Sequence, residues 1–147
     1  MITIIQRVTE ASVTVNGNVI GEIQKGILAL IAVEKNDTLI ITERLFERIL
    51  NYRIFADADD KMNLSLRDIE GGLLLVPQFT LAANTDKGNR PSFASAAPPE
   101  FGYEVFAYLK KHAMKTYHSV QFGEFGADMK VSLINDGPVT FTLNYPH

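Results

Sequence analysis

The stretch LLLVPQFTLAANTDKGNRPSF, residues 73–93, decides how the chain is expected to fold. Its first four residues are aliphatic, which is typical of a strand buried on both faces of a sheet. Pro77 has no N–H to give to a neighbouring strand, so regular pairing is predicted to end there. Gln78 and Thr80 then bring polar side chains to the end of a buried strand, where binding sites are commonly built. An ordinary strand end explains this stretch equally well.

Alternating apolar residues predict further strands before and after the buried one. Asn16 and Gly17 suit a type I′ hairpin turn, because both central residues of that turn need a positive φ. Polar and glycine-rich residues predict turns over 57–60 and 69–72. The predicted strands span residues 2–8, 12–15, 19–23, 27–33, 52–55, 120–122, 129–134 and 139–143.

Two segments carry the spacing of an amphipathic helix. In the first, residues 36–51, apolar side chains recur every fourth residue, and Asp37 can cap the N-terminus. The second opens at Pro98 and continues toward Met114. Strands and helices together predict an α+β fold of one domain, residues 1–147, in which curved, mostly antiparallel, barrel-like sheets carry two main helices.

Composition excludes several classes of protein. With 147 residues and 46% hydrophobic content, the chain can bury a core of its own. It contains no cysteine, so neither a disulfide nor a thiolate zinc site is available. Its net charge of −3 argues against a protein that grips many nucleic-acid phosphates, although contact with one nucleic-acid end remains open. No apolar run has membrane-spanning length and no leader-like segment opens the chain, so we expect a cytoplasmic protein.

The usual signatures of hydrolytic and cofactor chemistry are missing. The sequence has no nucleophile elbow, zinc-protease helix motif, phosphate-binding glycine loop or dinucleotide fingerprint. His112, His118 and His147 lie on the second helix, after it and at the terminus, so we predict no metal site and no cofactor.

The available chemistry is therefore an amide, a hydroxyl and backbone N–H groups. Gln78 and Thr80 supply the side chains, and the backbone around Phe79 supplies the N–H donors. No base is evident, so such a set can accelerate only a reaction of an already activated bond, by positioning it and stabilising an oxyanion. An activated ester fits this description, and an amide fits it poorly.

The second helix carries a basic run near its end, with Lys110, Lys111, His112 and Lys115. Cations near a helix C-terminus interact favourably with the macrodipole, which favours a solvated helix end. Contact with an RNA backbone is the alternative.

The dipeptide Gly137-Pro138 lies between two predicted strands. On residues alone a trans turn is the expected form, because only about 5–6% of X–Pro bonds in folded proteins are cis.

Four segments resemble the D-aminoacyl-tRNA deacylases, also called D-tyrosyl-tRNA deacylases. They are IQRV at 5–8, QFTL at 78–81, RPSF at 90–93 and NDGPVT at 135–140, and the similarity extends over essentially the whole chain. The resemblance implies hydrolysis of the ester between a D-amino acid and the 3′-terminal adenosine of tRNA, without a cofactor, as chiral proofreading in translation. This is the activated ester that the residues predict.

The resemblance also implies roles for individual residues. Gln78, Phe79 and Thr80 form the catalytic segment. In a homodimer, a cis Gly137-Pro138 from one subunit would enter the active site of the other and exclude L-residues, with Arg7 holding that dipeptide. Phe125 and Met129 match positions that line the pocket of the terminal adenine, although core packing explains both equally well.

One departure from the family pattern concerns Pro77, which replaces a serine that usually precedes Gln78. If that serine orients its neighbours, the fixed φ of proline can substitute for it; if it contacts substrate, activity should fall. Thr80 is a candidate nucleophile, but without a base we favour hydrolysis assisted by the 2′-hydroxyl of the terminal ribose.

Two alternatives stay open at this point. Glycyl-tRNA mischarged on another tRNA is a second expected substrate, because exclusion of L-side chains admits glycine. A non-catalytic module that binds an amino acid or nucleotide is the alternative from another class.

Overall fold

The structure is a computed structural model that describes residues 1–146, so the predicted position of His147 lies outside the described residues. The described chain contains three α-helices, α1 (Leu39–Asn51), α2 (Leu66–Ile69) and α3 (Pro99–Thr116), and a 3-10 helix, Phe79–Ala82. Its strands are β1 (Ile2–Val15), β2 (Asn18–Ile23), β3 (Gly26–Ala32), β4 (Phe55–Ala56), β5 (Met62–Leu64), β6 (Gly72–Pro77), β7 (Val120–Phe122) and β8 (Lys130–Asn144).

Six strands form one mixed, curved sheet. β1 pairs antiparallel with β2, β3 and β8, whereas β6 lies parallel to both β3 and β7. The sheet path β2-β1-β3-β6-β7 bends until its two ends meet. A Cβ on Gly21 of β2 would lie only 2.8 Å from the carbonyl oxygen of Phe122 of β7. The expected α+β, barrel-like arrangement is thereby confirmed.

The strand β6 separates two layers of core, because its side chains alternate between the two faces of the sheet. Leu73 and Leu75 pack on the layer that α1 and α3 cover, and Leu74 and Val76 pack inside the curved sheet. All four side chains are at most 1% exposed. Full burial of each contributes about 1.5–3 kcal/mol, so this strand is a rigid support for whatever follows it. The predicted burial on both faces is confirmed.

Several predicted strand boundaries are wrong. Residues 2–8 and 12–15 belong to one strand, since β8 pairs along nearly all of β1. Residues 129–134 and 139–143 also belong to one strand, β8. Its register is interrupted: Gln6 faces Thr140 while Val8 faces Asn135. The residues between Asn135 and Thr140 therefore bulge from the ladder, where a separate turn was predicted.

The two main helices lie where the sequence predicts them, but the first is capped differently. The Thr38 hydroxyl accepts a hydrogen bond from the Ile41 N–H at 3.2 Å and is the N-cap of α1. Asp37 is buried instead, and its carboxylate accepts from the Met1 ammonium at 2.8 Å and from the Glu34 N–H at 2.7 Å. The predicted capping role of Asp37 is wrong, because the Met1 ammonium and the Glu34 N–H occupy its carboxylate.

Smaller features also differ. The predicted strand 52–55 is reduced to β4, while β5 and α2 are too short to leave a periodic pattern. Asn16 and Gly17 have φ of 50° and 79°, as the predicted turn requires. None of the described helices has the length and apolar character needed to cross a membrane.

Candidate active site

The segment that follows β6 leaves the sheet at once. The N–H of Gln78 donates to the carbonyl of Ile31 at 2.7 Å, which is the last link to β3. The backbone then turns at Gln78, with φ of −144° and ψ of 76°, and Phe79 begins the 3-10 helix. The predicted exit from the sheet after Pro77 is therefore observed, and it is built on the buried end of β6.

Gln78 and Thr80 form an amide–hydroxyl pair. The Gln78 amide nitrogen donates to the Thr80 Oγ1 at 2.6 Å. Because Oγ1 accepts here, its own hydrogen is free to donate to another group. Among residues 1–146, the hydrogen bonds also leave the N–H groups of Phe79 and Thr80 without acceptors, as expected for the first turn of a helix. The segment thus presents several donors and no base.

A cavity of about 430 Å³ lies beside this segment. Gln78 and Phe79 form part of its wall, and Phe125 and Met129 form another part. Apolar walls with a few polar groups are typical of sites for small molecules or for one end of a larger ligand. The lining residues are Ile31, Val33, Val76, Pro77, Gln78, Phe79, Ala97, Pro99, Gly102, Phe106, Phe125, Gly126, Ala127, Asp128, Met129 and Val131.

Phe125 is held in that wall by neighbours on α3. Its ring centroid lies 5.8 Å from that of Tyr103, edge to face, and 6.4 Å from that of Phe106. Gly102 permits this packing, since a Cβ there would lie 3.1 Å from Cζ of Phe125. Gly102 was not predicted as a site residue; an isolated glycine inside a helical pattern was the available signal.

Met129 depends on a second glycine. A Cβ on Gly123 would lie 2.8 Å from the Met129 sulfur, and that sulfur also accepts the Glu124 N–H at 3.4 Å. The wall position of Met129 is thus set by the close approach of backbone after β7. The two residues suggested for an adenine pocket, Phe125 and Met129, do border one cavity.

The dipeptide Gly137-Pro138 occupies the bulge of β8, and its peptide bond is cis. The cis form that the resemblance implied is confirmed. Arg7 holds the bulge: its Nε donates to the Asp136 carbonyl at 2.9 Å, and its Nη1 donates to the Ile54 carbonyl at 2.8 Å. Gly137 itself has φ of +146°, a conformation that other residues rarely adopt.

Asn135 closes the other side of the bulge. Its side-chain oxygen accepts the Val139 N–H at 2.7 Å, and its amide nitrogen donates to the Thr140 hydroxyl at 2.9 Å. This role of Asn135 was not predicted, although asparagine commonly bonds to nearby backbone in turns.

The structure does not bring the two predicted site segments together within one chain by hydrogen bonding. Among residues 1–146, the hydrogen bonds of the bulge connect it to Arg7 and to its own strand, and none reaches Gln78–Thr80. Gly137 and Pro138 are both exposed.

Ionisable groups with clearly displaced pKa values lie away from the cavity wall. The hydrogen bond from Arg67 lowers the pKa of Glu47, and that from Asn63 lowers the pKa of Asp57. Burial raises the pKa of Tyr117. These shifts belong to structural contacts, including the predicted polar turn at 57–60. Within residues 1–146, no cluster of three or more His, Cys, Asp or Glu side chains could hold a metal ion.

A family model described as D-Tyr-tRNA(Tyr) deacylase matches residues 4–144. The chain belongs to this family. Among curated proteins named D-aminoacyl-tRNA deacylase, it is 56% identical to that of Nitrosococcus oceani over 146 residues, which covers 99% of this chain and 94% of the relative. It is also 53% identical to that of Legionella pneumophila over 145 residues, which covers 99% of this chain and all of the relative.

Solved structures show the same fold. A protein named c-Myc DNA Unwinding Element Binding Protein superposes with a TM-score of 0.94 at 39% identity, with full coverage of both chains. A probable eukaryotic D-amino acid tRNA deacylase superposes with a TM-score of 0.82 over 97% of each chain; at 17% identity, this second likeness concerns the fold alone.

The expected activity is confirmed by this membership. The deacylase is a hydrolase that cleaves the ester bond of D-aminoacyl-tRNA, and its binding of tRNA follows from that substrate. The alternative of a non-catalytic binding module is not supported.

Proposed function

We propose that the deacylase hydrolyses the ester at Gln78, Phe79 and Thr80, with the 3′-terminal adenosine in the adjacent cavity against Phe125 and Met129. One observation carries this proposal: Gln78 and Phe79 line a mostly apolar cavity, and the segment they begin carries an amide–hydroxyl pair and two free N–H groups. The cavity is large enough for a nucleoside, and the donors suit the carbonyl of an ester.

In this mechanism the N–H groups of Phe79 and Thr80 stabilise the oxyanion that forms when water adds to the ester carbonyl. The bond to the ribose 3′-oxygen then breaks, and that oxygen receives the proton that the attacking water gives up. The neighbouring 2′-hydroxyl of the substrate relays this proton, because the protein offers no base at the segment. Thr80 acts as a donor, since an attacking hydroxyl would need an acceptor for its proton and its partner Gln78 is itself a donor.

The complete site contains two chains. The bulge carrying Gly137-Pro138 is anchored by Arg7, is exposed, and is not hydrogen-bonded to the catalytic segment of its own chain. In the proposed homodimer it enters the active site of the partner and occupies the space of an L-side chain. Backbone atoms suit this exclusion because they cannot rotate away as a side chain can.

A site that excludes L-side chains sterically, without binding the side chain of the D-substrate, predicts a broad substrate range. D-amino acids with varied side chains are accepted, and glycine is accepted because it has no side chain to exclude. The enzyme therefore serves chiral proofreading in the cytoplasm and also clears glycyl-tRNA mischarged on non-cognate tRNA.

The test compares D-tyrosyl-, glycyl- and L-tyrosyl-tRNA under single-turnover conditions, together with the molar mass of the enzyme by sedimentation. We expect hydrolysis of the first two, no hydrolysis of the third, and a dimer. A stable monomeric variant that hydrolyses D-tyrosyl-tRNA and still refuses L-tyrosyl-tRNA would contradict the two-chain site. Refusal of glycyl-tRNA would contradict rejection by exclusion.

A further inference from the structure

The second half of α3 and the strand after it form a segment without acidic residues. Between residues 105 and 123 the sequence contains three lysines, two histidines and no Asp or Glu, although the chain has a net charge of −3. The segment is therefore a local departure from the charge of the molecule.

The three lysines of this segment are free to meet a ligand. Lys110, Lys111 and Lys115 are exposed, and none of them forms an ion pair with any residue of the range 1–146. His112 differs, because its ring faces the α1 side, with Nδ1 4.0 Å from the carboxylate of Glu43.

Helix stability explains only one of these lysines. The macrodipole acts within the last turn of a helix, and α3 ends at Thr116, so only Lys115 lies in that turn. Lys110 and Lys111 lie more than a turn before the end. Because both are exposed and lack a carboxylate partner, their ammonium groups are available to an anionic ligand.

One of the lysines lies next to the cavity of the catalytic segment. Phe106 lines that cavity, and Lys110 follows it by one turn on the same face of α3, about 6 Å along the helix axis. Lys111 and Lys115 lie further around the helix, so a strand that leaves the cavity past Lys110 would cross α3 to reach them. The Lys110 ammonium also sits 5.3 Å from the ring centroid of Phe122 in β7, whose chain continues into the cavity wall.

Charges around the cavity define one favourable direction for a polyanion. Glu100 and Glu104 are exposed near the N-terminal end of α3, and Glu124 and Asp128 are exposed beyond β7. A phosphate chain leaving the cavity meets repulsion from these carboxylates and attraction toward the three lysines in the C-terminal half of α3.

We propose that Lys110, Lys111 and Lys115 bind the phosphates of the tRNA strand that leads away from the 3′-terminal nucleotide. The proposal rests on the proposed function, which places that nucleotide in the cavity. Lys110 and Lys115 are about 7.5 Å apart along the axis, and both side chains are long enough to reach neighbouring phosphates of one strand. These residues position the substrate and take no part in bond cleavage.

The test uses the variant Lys110→Gln/Lys111→Gln/Lys115→Gln and a charge-matched control, Lys25→Gln/Arg44→Gln/Lys61→Gln, whose three residues are exposed and do not line the cavity. Two substrates are compared: D-tyrosyl-tRNA, and 3′-O-(D-tyrosyl)adenosine, which has the ester but no phosphate. KM and kcat are measured for both substrates at several salt concentrations.

We expect KM for D-tyrosyl-tRNA to rise about tenfold or more at low salt in the α3 variant, with kcat unchanged. The slope of log kcat/KM against log salt should decrease by about 2 to 3, since each lost phosphate contact removes about 0.7–0.9. Turnover of the adenosine ester should be unchanged, and the control should behave as wild type on both substrates.

Other results overturn the proposal. If the α3 variant keeps the wild-type salt slope, its lysines do not contact phosphates. If the control variant loses as much kcat/KM for D-tyrosyl-tRNA as the α3 variant, the effect comes only from the overall charge of the protein. If the α3 variant loses kcat/KM for the adenosine ester, the lysines act in the reaction itself. Failure of the wild type on the adenosine ester while it hydrolyses D-tyrosyl-tRNA would count against the proposed cavity, not against the lysines.

Discussion

The catalytic segment and the bulge of β8 differ in how each is supported. Gln78 and Thr80 follow a strand that is buried on both faces, and Gln78 borders a cavity of its own chain. The bulge with Gly137 and Pro138 stands exposed, and the side chains of Arg7 and Asn135 hold it in place. The catalytic segment has a cavity beside it, whereas the bulge has a fixed shape and makes no hydrogen bond to the catalytic segment of its own chain. In the proposed homodimer, the catalytic segment of one chain and the bulge of its partner are the two halves of one site.

This comparison predicts that changes in the two regions affect different measurements. Changes in the bulge should alter the discrimination between D- and L-substrates, and changes in the catalytic segment should alter turnover.

The largest effect is expected for Arg7→Ala. This change removes two charge-assisted hydrogen bonds to carbonyl groups, each contributing about 1.5–3 kcal/mol, and frees the bulge to move. We expect the ratio of kcat/KM for D-tyrosyl- over L-tyrosyl-tRNA to fall by about a hundredfold or more, equivalent to about 2.7 kcal/mol. Turnover of the D-substrate should change far less. Arg44→Ala, at an exposed position of α1, is the control.

A mixing experiment sharpens this prediction. If the bulge acts on the partner, Arg7→Ala chains mixed with an excess of Gln78→Ala chains should regain rejection of L-tyrosyl-tRNA. Each intact catalytic segment then faces an intact bulge. Failure to regain rejection, with subunit exchange demonstrated, would show that the bulge acts within its own chain.

The next effect is expected for Gln78→Ala. The loss of the amide frees the Thr80 hydroxyl from its 2.6 Å hydrogen bond and removes a donor at the cavity border. Turnover of D-tyrosyl-tRNA should fall by about ten- to a hundredfold, with rejection of the L-substrate retained. Gln24→Ala, at an exposed position, serves as the control. A loss of chiral discrimination here would break the separation between the two regions.

A smaller effect is expected for Thr80→Ala. The hydroxyl donates to the substrate in our mechanism and does not attack it, so turnover should decrease by no more than about tenfold. Rapid-quench mass spectrometry checks the same point, because an aminoacyl group covalently attached to Thr80 during turnover would falsify the donor role.

The smallest effect is expected for Pro77→Ser. Pro77 lies at the end of β6, where Gln78 supplies the last N–H to β3, so the missing proline donor leaves no gap in the ladder. We expect a rate change below tenfold, or about 1.4 kcal/mol. A much larger gain in turnover from serine would show that its hydroxyl contacts the substrate.

Much of the scaffold could be predicted from local pattern. Four consecutive aliphatic residues before Pro77 are typical of a strand buried on both faces, and Asn16-Gly17 selects its turn through the positive φ of both residues. The boundaries of the strands were harder to predict. Residues 2–8 and 12–15 form one strand because β8 pairs across the polar residues between them, and such pairing leaves no local signal.

The sequence by itself determined the buried strand, the exit at Pro77 and the hydrogen-bond donors of Gln78, Phe79 and Thr80, because these depend on the shape and hydrogen-bonding capacity of neighbouring residues. Only the tertiary structure decided the rest. Asp37 lost its predicted cap role to a cation 36 residues away, and Phe125 became a cavity wall through the absence of a side chain at Gly102. Contacts between residues distant in sequence depend on packing, and packing is a property of the whole fold.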